Sequence, residues 1–149
     1  MLTDDQRRQI AEALHRAEVD RVQIPLISDT HPDADVVDAY EIATIVSELR
    51  LAAGRRVKVH KVGLTSKAMR EMSLATEPDF GTLFDHWFVP EGSIIPASSL
   101  FRPLVEIEIA FVMKERLEGP AVNAADVIRA TDFVLPSIEL VDSRFTGRP

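Results

Sequence analysis

LVEIEIAFVM, residues 104–113, reads as a β-strand with two unlike faces. Side chains two apart share a face in a strand, so Val105, Ile107, Ile109, Phe111 and Met113 form one unbroken apolar side, which is expected to be buried. The other side carries Leu104, Glu106, Glu108, Ala110 and Val112. It sets two carboxylates roughly 6–7 Å apart along the strand. Two anions that close repel and raise one another's pKa, and a hard divalent cation between them is the simplest remedy. An antiparallel sheet with one wet face produces the same alternation of Glu and apolar residues without any site. Against that, Ala110 and Val112 continue the Glu side as apolar, so this side is not simply solvated.

The rest of the chain fits a soluble folded protein of the usual size for a single domain. Its 149 residues are 46% hydrophobic and 28% charged, enough for a sizeable core. A formal charge of -7 argues against a nucleic-acid or membrane surface as partner. With no cysteine, disulfides, zinc-thiolate sites and thiol nucleophiles are excluded, leaving oxygen and imidazole chemistry. The amino terminus is charged from Asp4 and has no apolar core of signal-peptide length, and no run reaches the ~18 apolar residues of a membrane span. A cytoplasmic location is expected.

Thr3 and Gln6 form a capping-box pattern ahead of a helix over about residues 4–20, whose inner stripe is Ile10, Ala13, Leu14, Ala17 and Val19. A loop with Pro25 and Pro32 carries His31, a lone histidine that is either structural or catalytic. A second helix starts near Asp35, with Ala39, Tyr40, Ala43, Val46, Leu49 and Ala53 on its inner side, and stops at Gly54. The period then becomes two through RRVKVHKVGLTS (55–66), and Lys61 falls on the same side as Val57 and Val59. There it either snorkels out at the strand end or serves as an acid, base or anion anchor. Gly63 permits a close backbone approach. Asp79, between Pro78 and Phe80-Gly81, is in a turn-like setting as a loop cap or a working group. Residues 86–89 and 93–95 read as short strands, 124–131 as a helix capped by Asn123, and DFVLPSIELVD (132–142) as a further strand. Its Glu139 shares a face with Phe133, Leu135 and Val141. Three carboxylates on apolar strand faces suit magnesium or manganese better than zinc.

HKVGLTSKAM (60–69), EPDFGTLF (77–84), the EIE of residues 106–108, PSIELVDSR (136–144) and the helix entry HPDADVVDAYEIA (31–43) together resemble the hydratase and decarboxylase branch of the fumarylacetoacetate hydrolase superfamily. The resemblance runs from about residue 5 to residue 144. It implies an α+β fold, with an amino-terminal helical segment over residues 1–55 and the first strands of a mixed β-roll over 56–149. It also implies that Glu106, Glu108 and Glu139 bind a divalent metal, usually Mg2+ with Mn2+ as the alternative, and that Lys61 and Asp79 face the substrate as acid/base groups. Arg144 is a further candidate for a substrate carboxylate, or a surface ion pair.

The activity implied is hydration of a 2-hydroxy-dienoate or 2-oxo-alkenedioate in aromatic catabolism. A 2-oxo-acid decarboxylase is the neighbouring alternative. The family's domain is longer than this chain, so a truncated roll is expected, with part of the apolar side of residues 105–113 uncovered or covered by another subunit of a homo-oligomer. An inactive, oligomerising fragment is the reading from another class.

Overall fold

The computed structural model describes residues 1–73 and 75–147, which divide into two units: residues 1–99 with 144–147, and residues 100–143. In the first unit, α1 (Asp4–Asp20) and α3 (Val36–Ala52) pack together, joined through the single turn α2 (Ile27–Thr30). Helix α1 begins as its sequence dictates. Thr3 and Gln6 cap each other's backbone N–H groups, and Asp4 and Asp5 sit where the helix dipole favours anions. Leu2, Ile10, Ala11, Leu14, Ile42 and Val46 form the buried core, with Ile24, Ile27, Ala34, Ile45 and Phe145 packed against it. Phe145 arrives through a parallel bridge to Ile24, whose backbone is hydrogen-bonded to Arg144 and Thr146. Each large apolar core side chain contributes about 1.5–3 kcal/mol by leaving water.

Two helix faces differ from the sequence expectation. Val19 is exposed, because the buried stripe of α1 runs through Ile10, Leu14 and Ala17 and Val19 falls on the opposite side of the helix. Helix α3 buries Asp38, Ile42, Val46 and Arg50, while Ala39 and Ala43 are exposed. Its inner stripe begins and ends on charged residues, so apolar periodicity alone finds Val46 and the half-buried Tyr40 and Leu49 but misses Asp38, Ile42 and Arg50. Asp38 is fully buried. Its carboxylate accepts from Arg7 Nε at 2.9 Å and from the backbone N–H groups of Leu2 at 3.0 Å and Asp35 at 3.1 Å, tying the amino terminus, α1 and the start of α3 together.

After Gly54, which takes a left-handed φ of 82°, β1 (Val57–Gly63) pairs antiparallel with β2 (Asp79–Phe84), with α4 (Lys67–Met72) between them. Asp79 therefore opens a strand rather than sitting in a turn. Residues 86–89 and 93–95 are not strands: Asp85–Trp87 is a 3-10 turn and the rest is irregular. That turn is held by aromatic and ionic contacts that a strand would not allow. The Arg50 guanidinium lies 4.6 Å from the Trp87 ring centre and 5.2 Å from that of the fully buried Phe84.

The second unit is built on β3 (Leu104–Met113), which pairs antiparallel with β4 (Thr131–Val141) along its whole length; α5 (Ala124–Ala130), capped by Asn123, leads into β4. The backbone N–H groups of Phe101 and Arg102 donate to the Asp142 carboxylate at 2.7–3.0 Å, fastening the entry of β3 to the exit of β4. The apolar side of β3, expected to be buried, is exposed: Val105 is 68%, Ile107 87% and Ile109 67% accessible. The strand pair has no further strand beside it among the described residues, and none of the elements described within this unit covers that face. The α+β class expected from the sequence stands.

Burial alone would push the Asp38 carboxyl up, but the Arg7 hydrogen bond, the two backbone donors and the Arg7 charge hold it below its ordinary value of 3.8. A depressed carboxyl contributes stability that is fully present above pH 3.8 and is lost as pH falls through the folded value. Asp38→Asn is expected to lower the melting temperature at neutral pH by several degrees and to flatten the acid limb. Thermal melts of both proteins from about pH 3 to about pH 7 measure this, and parallel acid limbs would refute it.

Candidate functional site

Period-two geometry brings Glu106, Glu108 and Glu139 together. Glu106 stands directly opposite Glu139 across β3 and β4, and Glu108, opposite Ser137, is one step along on the same face. One carboxylate oxygen from each lies within 4.8 Å of those of the other two. Glu106 is exposed and the others are half-buried, beside Ala110, Val112 and Leu135 on the same face. Like charges directly opposite in an antiparallel pair oppose the pairing. The sequence expectation grouped these three residues, and the strand register brings them into one acidic cluster. All the donors are hard oxygens, the type that holds magnesium or calcium.

In the other unit, register places Lys61 opposite Gly81 and Asp79 opposite Gly63. Lys61 and Asp79 are thus diagonal neighbours on one face of the β1–β2 ladder, with Cβ atoms about 7 Å apart in such a pair. Each faces a glycine. Lys61 is half-buried and shares its face with Val59 and Leu83; Asp79 is exposed. An ammonium and a carboxylate side by side on one strand pair supply a proton donor, a proton acceptor and a positive charge for an oxyanion. On the reverse face, Phe80 stacks on Tyr40 of α3, with centroids 4.5 Å apart and planes inclined by 16°, anchoring β2 next to Asp79.

The remaining candidates have structural contacts. Arg144 Nη2 pairs with Glu18 at 3.2 Å. Glu18 also receives the guanidinium of buried Arg50, Trp87 Nε1 at 3.2 Å and His86 Nε2 at 3.4 Å. Burial pushes the Glu18 carboxyl up, yet the Arg50 hydrogen bond and the Arg144 and Arg50 charges outweigh it, and its pKa is lowered. Sequence reading missed this cluster, since its members are far apart in the chain and a charged Arg50 is not expected on the inner face of a helix. His31 closes α2: its N–H donates to Ile27 O at 2.7 Å, and its Nδ1 lies 3.0 Å from Thr30 Oγ1. Among the described residues, no helix is long and apolar enough to cross a membrane.

No family model matches the chain. Curated relatives do: 2-oxo-hept-4-ene-1,7-dioate hydratase of Escherichia coli is 44% identical over 135 residues, which are 91% of this chain and 51% of the relative. A 4-oxalocrotonate decarboxylase of a Pseudomonas species is 40% identical over 145 residues, 97% of this chain and 54% of the relative. The chain spans about half the length of these relatives. The solved structure of 4-oxalocrotonate decarboxylase from Pseudomonas putida G7, complexed with magnesium and adipate, matches 99% of this chain and 56% of its own at a TM-score of 0.92 and 33% identity. A second structure of that protein holds calcium and acetate. This chain is therefore a homologue of hydratases and decarboxylases, its α+β arrangement is that of a decarboxylase crystallised with divalent cations, and it carries an acidic cluster of the type that takes such an ion.

Proposed function

We propose that this chain carries the metal ligands and proton-transfer groups of a hydro-lyase that adds water to a 2-hydroxy-dienoate or 2-oxo-alkenedioate, of the kind named 2-oxo-hept-4-ene-1,7-dioate hydratase. The observation that carries the reading is the opposition of Glu106 and Glu139 across the strand pair with Glu108 on the same face. On this reading the chain belongs to the hydratase and decarboxylase branch of the fumarylacetoacetate hydrolase superfamily, and β3 and β4 are strands of its mixed β-roll.

The three glutamates fit a divalent cation. An octahedral magnesium sphere is about 4.2 Å across and a calcium sphere about 5 Å, comparable to the spread of the carboxylate oxygens. Magnesium is the ion assigned, with manganese the alternative, because the donors are all hard oxygens and the similar decarboxylase holds magnesium. When bound, such an ion polarises the carboxylate and C2 oxygens of a 2-oxo acid and favours the enolate. Lys61 and Asp79 move the protons. One is lost from the 2-hydroxyl as another is gained at the far end of the diene, giving a 2-oxo-3-ene, to which water adds at C4. Lys61, a compact ammonium, also holds a substrate oxyanion.

A second reading, decarboxylation, is favoured by the structural match to a decarboxylase. It uses the same ion and the same proton return to carbon, but releases carbon dioxide in place of adding water. Carbon dioxide evolution separates the two.

Glu106→Ala is expected to abolish magnesium-dependent loss of the ultraviolet absorbance of a 2-hydroxydienoate and to weaken magnesium binding measured by calorimetry. Turnover surviving that change overturns the metal assignment. Asp79→Asn and Lys61→Met are expected to lower kcat by about 100-fold or more, the usual contribution of a general acid or base, with magnesium affinity unchanged. Steady-state kinetics against monocarboxylate and dicarboxylate dienoates, with and without chelator, give both answers.

A further inference from the structure

We propose that Gly63 is the positioning residue of Asp79: the space left by its missing side chain is the seat of the carboxylate. The inference rests on reading Asp79 as a proton-transfer group. A Cβ built on Gly63 would overlap Oδ1 of Asp79 and lie 3.2 Å from its Cγ and 3.6 Å from Oδ2. The carboxylate is therefore folded across the ladder onto its register partner. Gly63 does not have a positive φ, so its glycine is not required by backbone conformation. It is required by room. Gly81, opposite Lys61, differs: a Cβ there meets nothing within 4 Å.

The backbone around Gly63 is held in a way that fixes this seat. Leu64 follows with φ 52°, a left-handed conformation that bulky residues rarely adopt and that surrounding structure must enforce. Arg70 of α4 enforces it, donating from Nη1 to Leu64 O at 2.8 Å and Thr65 O at 2.7 Å. On the partner strand, the Tyr40–Phe80 stack holds the residue after Asp79. Both ends of the Gly63–Asp79 pair are thus anchored, and the carboxylate occupies the gap between them on the Lys61 face.

The test compares the unsubstituted chain with Gly63→Ala, Asp79→Ala, Asp79→Asn and the double variant Gly63→Ala/Asp79→Ala. Gly63→Ala is expected to change the Asp79 χ1 angle, read from scalar couplings in labelled protein. It is expected to lower the melting temperature, with most of that loss disappearing in the Asp79→Ala background, where nothing remains to collide. Turnover of a 2-hydroxydienoate is expected to fall about 100-fold in kcat with magnesium affinity unchanged, as for a misplaced reacting group.

An unchanged χ1 in Gly63→Ala overturns the proposal, as does an equal melting loss in both backgrounds. Should Gly63→Ala alone fail to fold, a folded double variant supports it and an unfolded one overturns it. Full activity in Asp79→Asn, or none in the unsubstituted chain, refutes the functional reading instead, and the couplings and melting cycle still decide whether Gly63 seats the carboxylate.

Discussion

Antiparallel register is the constraint on which both candidate clusters depend. With a side-chain period of two, a slip of one residue in β3 against β4 would carry Glu139 to the opposite face and leave Glu106 and Glu108 facing apolar partners. The same slip in β1 against β2 would part Asp79 from Gly63 and Lys61 from its face. Register is pinned differently in the two pairs. In β3–β4 it is pinned at one end by the Asp142 carboxylate, which takes the N–H groups of Phe101 and Arg102. In β1–β2 an irregularity between Val57 and Val59 and the Arg70-braced turn at Leu64 bound the regular ladder.

The first unit spends buried charge on the same end. Asp38 and Arg50 lie at opposite ends of the inner face of α3, each paired with groups from elsewhere in the chain: Arg7 and two backbone N–H groups for one, Glu18 and two aromatic faces for the other. Buried ion pairs add little net stability over apolar packing, since desolvation offsets attraction. They specify arrangement. Asp38 admits one placement of the amino terminus. The Glu18 cluster joins α1, α3, the turn after β2 and Arg144, and so fixes where β2 ends.

Much of this was legible in the sequence because the elements carry their own punctuation. The capping box at Thr3, the helix start at Asp35, the Asn123 cap and the stop at Gly54 set helix ends, and strict alternation put Glu106 and Glu108 on one face of their strand and Glu139 on an apolar side of another; the register then joins them. What was not legible required partners distant in the chain. Asp38 and Arg50 hid the inner face of α3 because a periodicity count scores charged residues as solvent-facing. Residues 86–89 were read as a strand because aromatic and β-branched residues favour strands. The Arg50–Trp87 stack overrides that propensity. Gly63 carried a signal, but its meaning lay in which side chain stood opposite, and only register supplies that.

The acidic cluster and the exposed apolar side of β3 bear on one energetic problem. A two-stranded pair is marginal in water, and this one, without a further strand among the described residues, opposes two carboxylates near one end while leaving Val105, Ile107 and Ile109 accessible. On the proposed reading the cation answers the first difficulty directly. Ligands on both strands make its binding a cross-strand tie, so affinity for the ion and preference for this register are the same free energy seen from two sides. Glu139 is the term that makes this so. Glu106 and Glu108 alone sit on one strand and would bind an ion in any register; with Glu139 across from them, only registers that keep Glu139 on their face beside them offer all three ligands. The residue that sets a like charge across the ladder is the one that couples the ion to pairing.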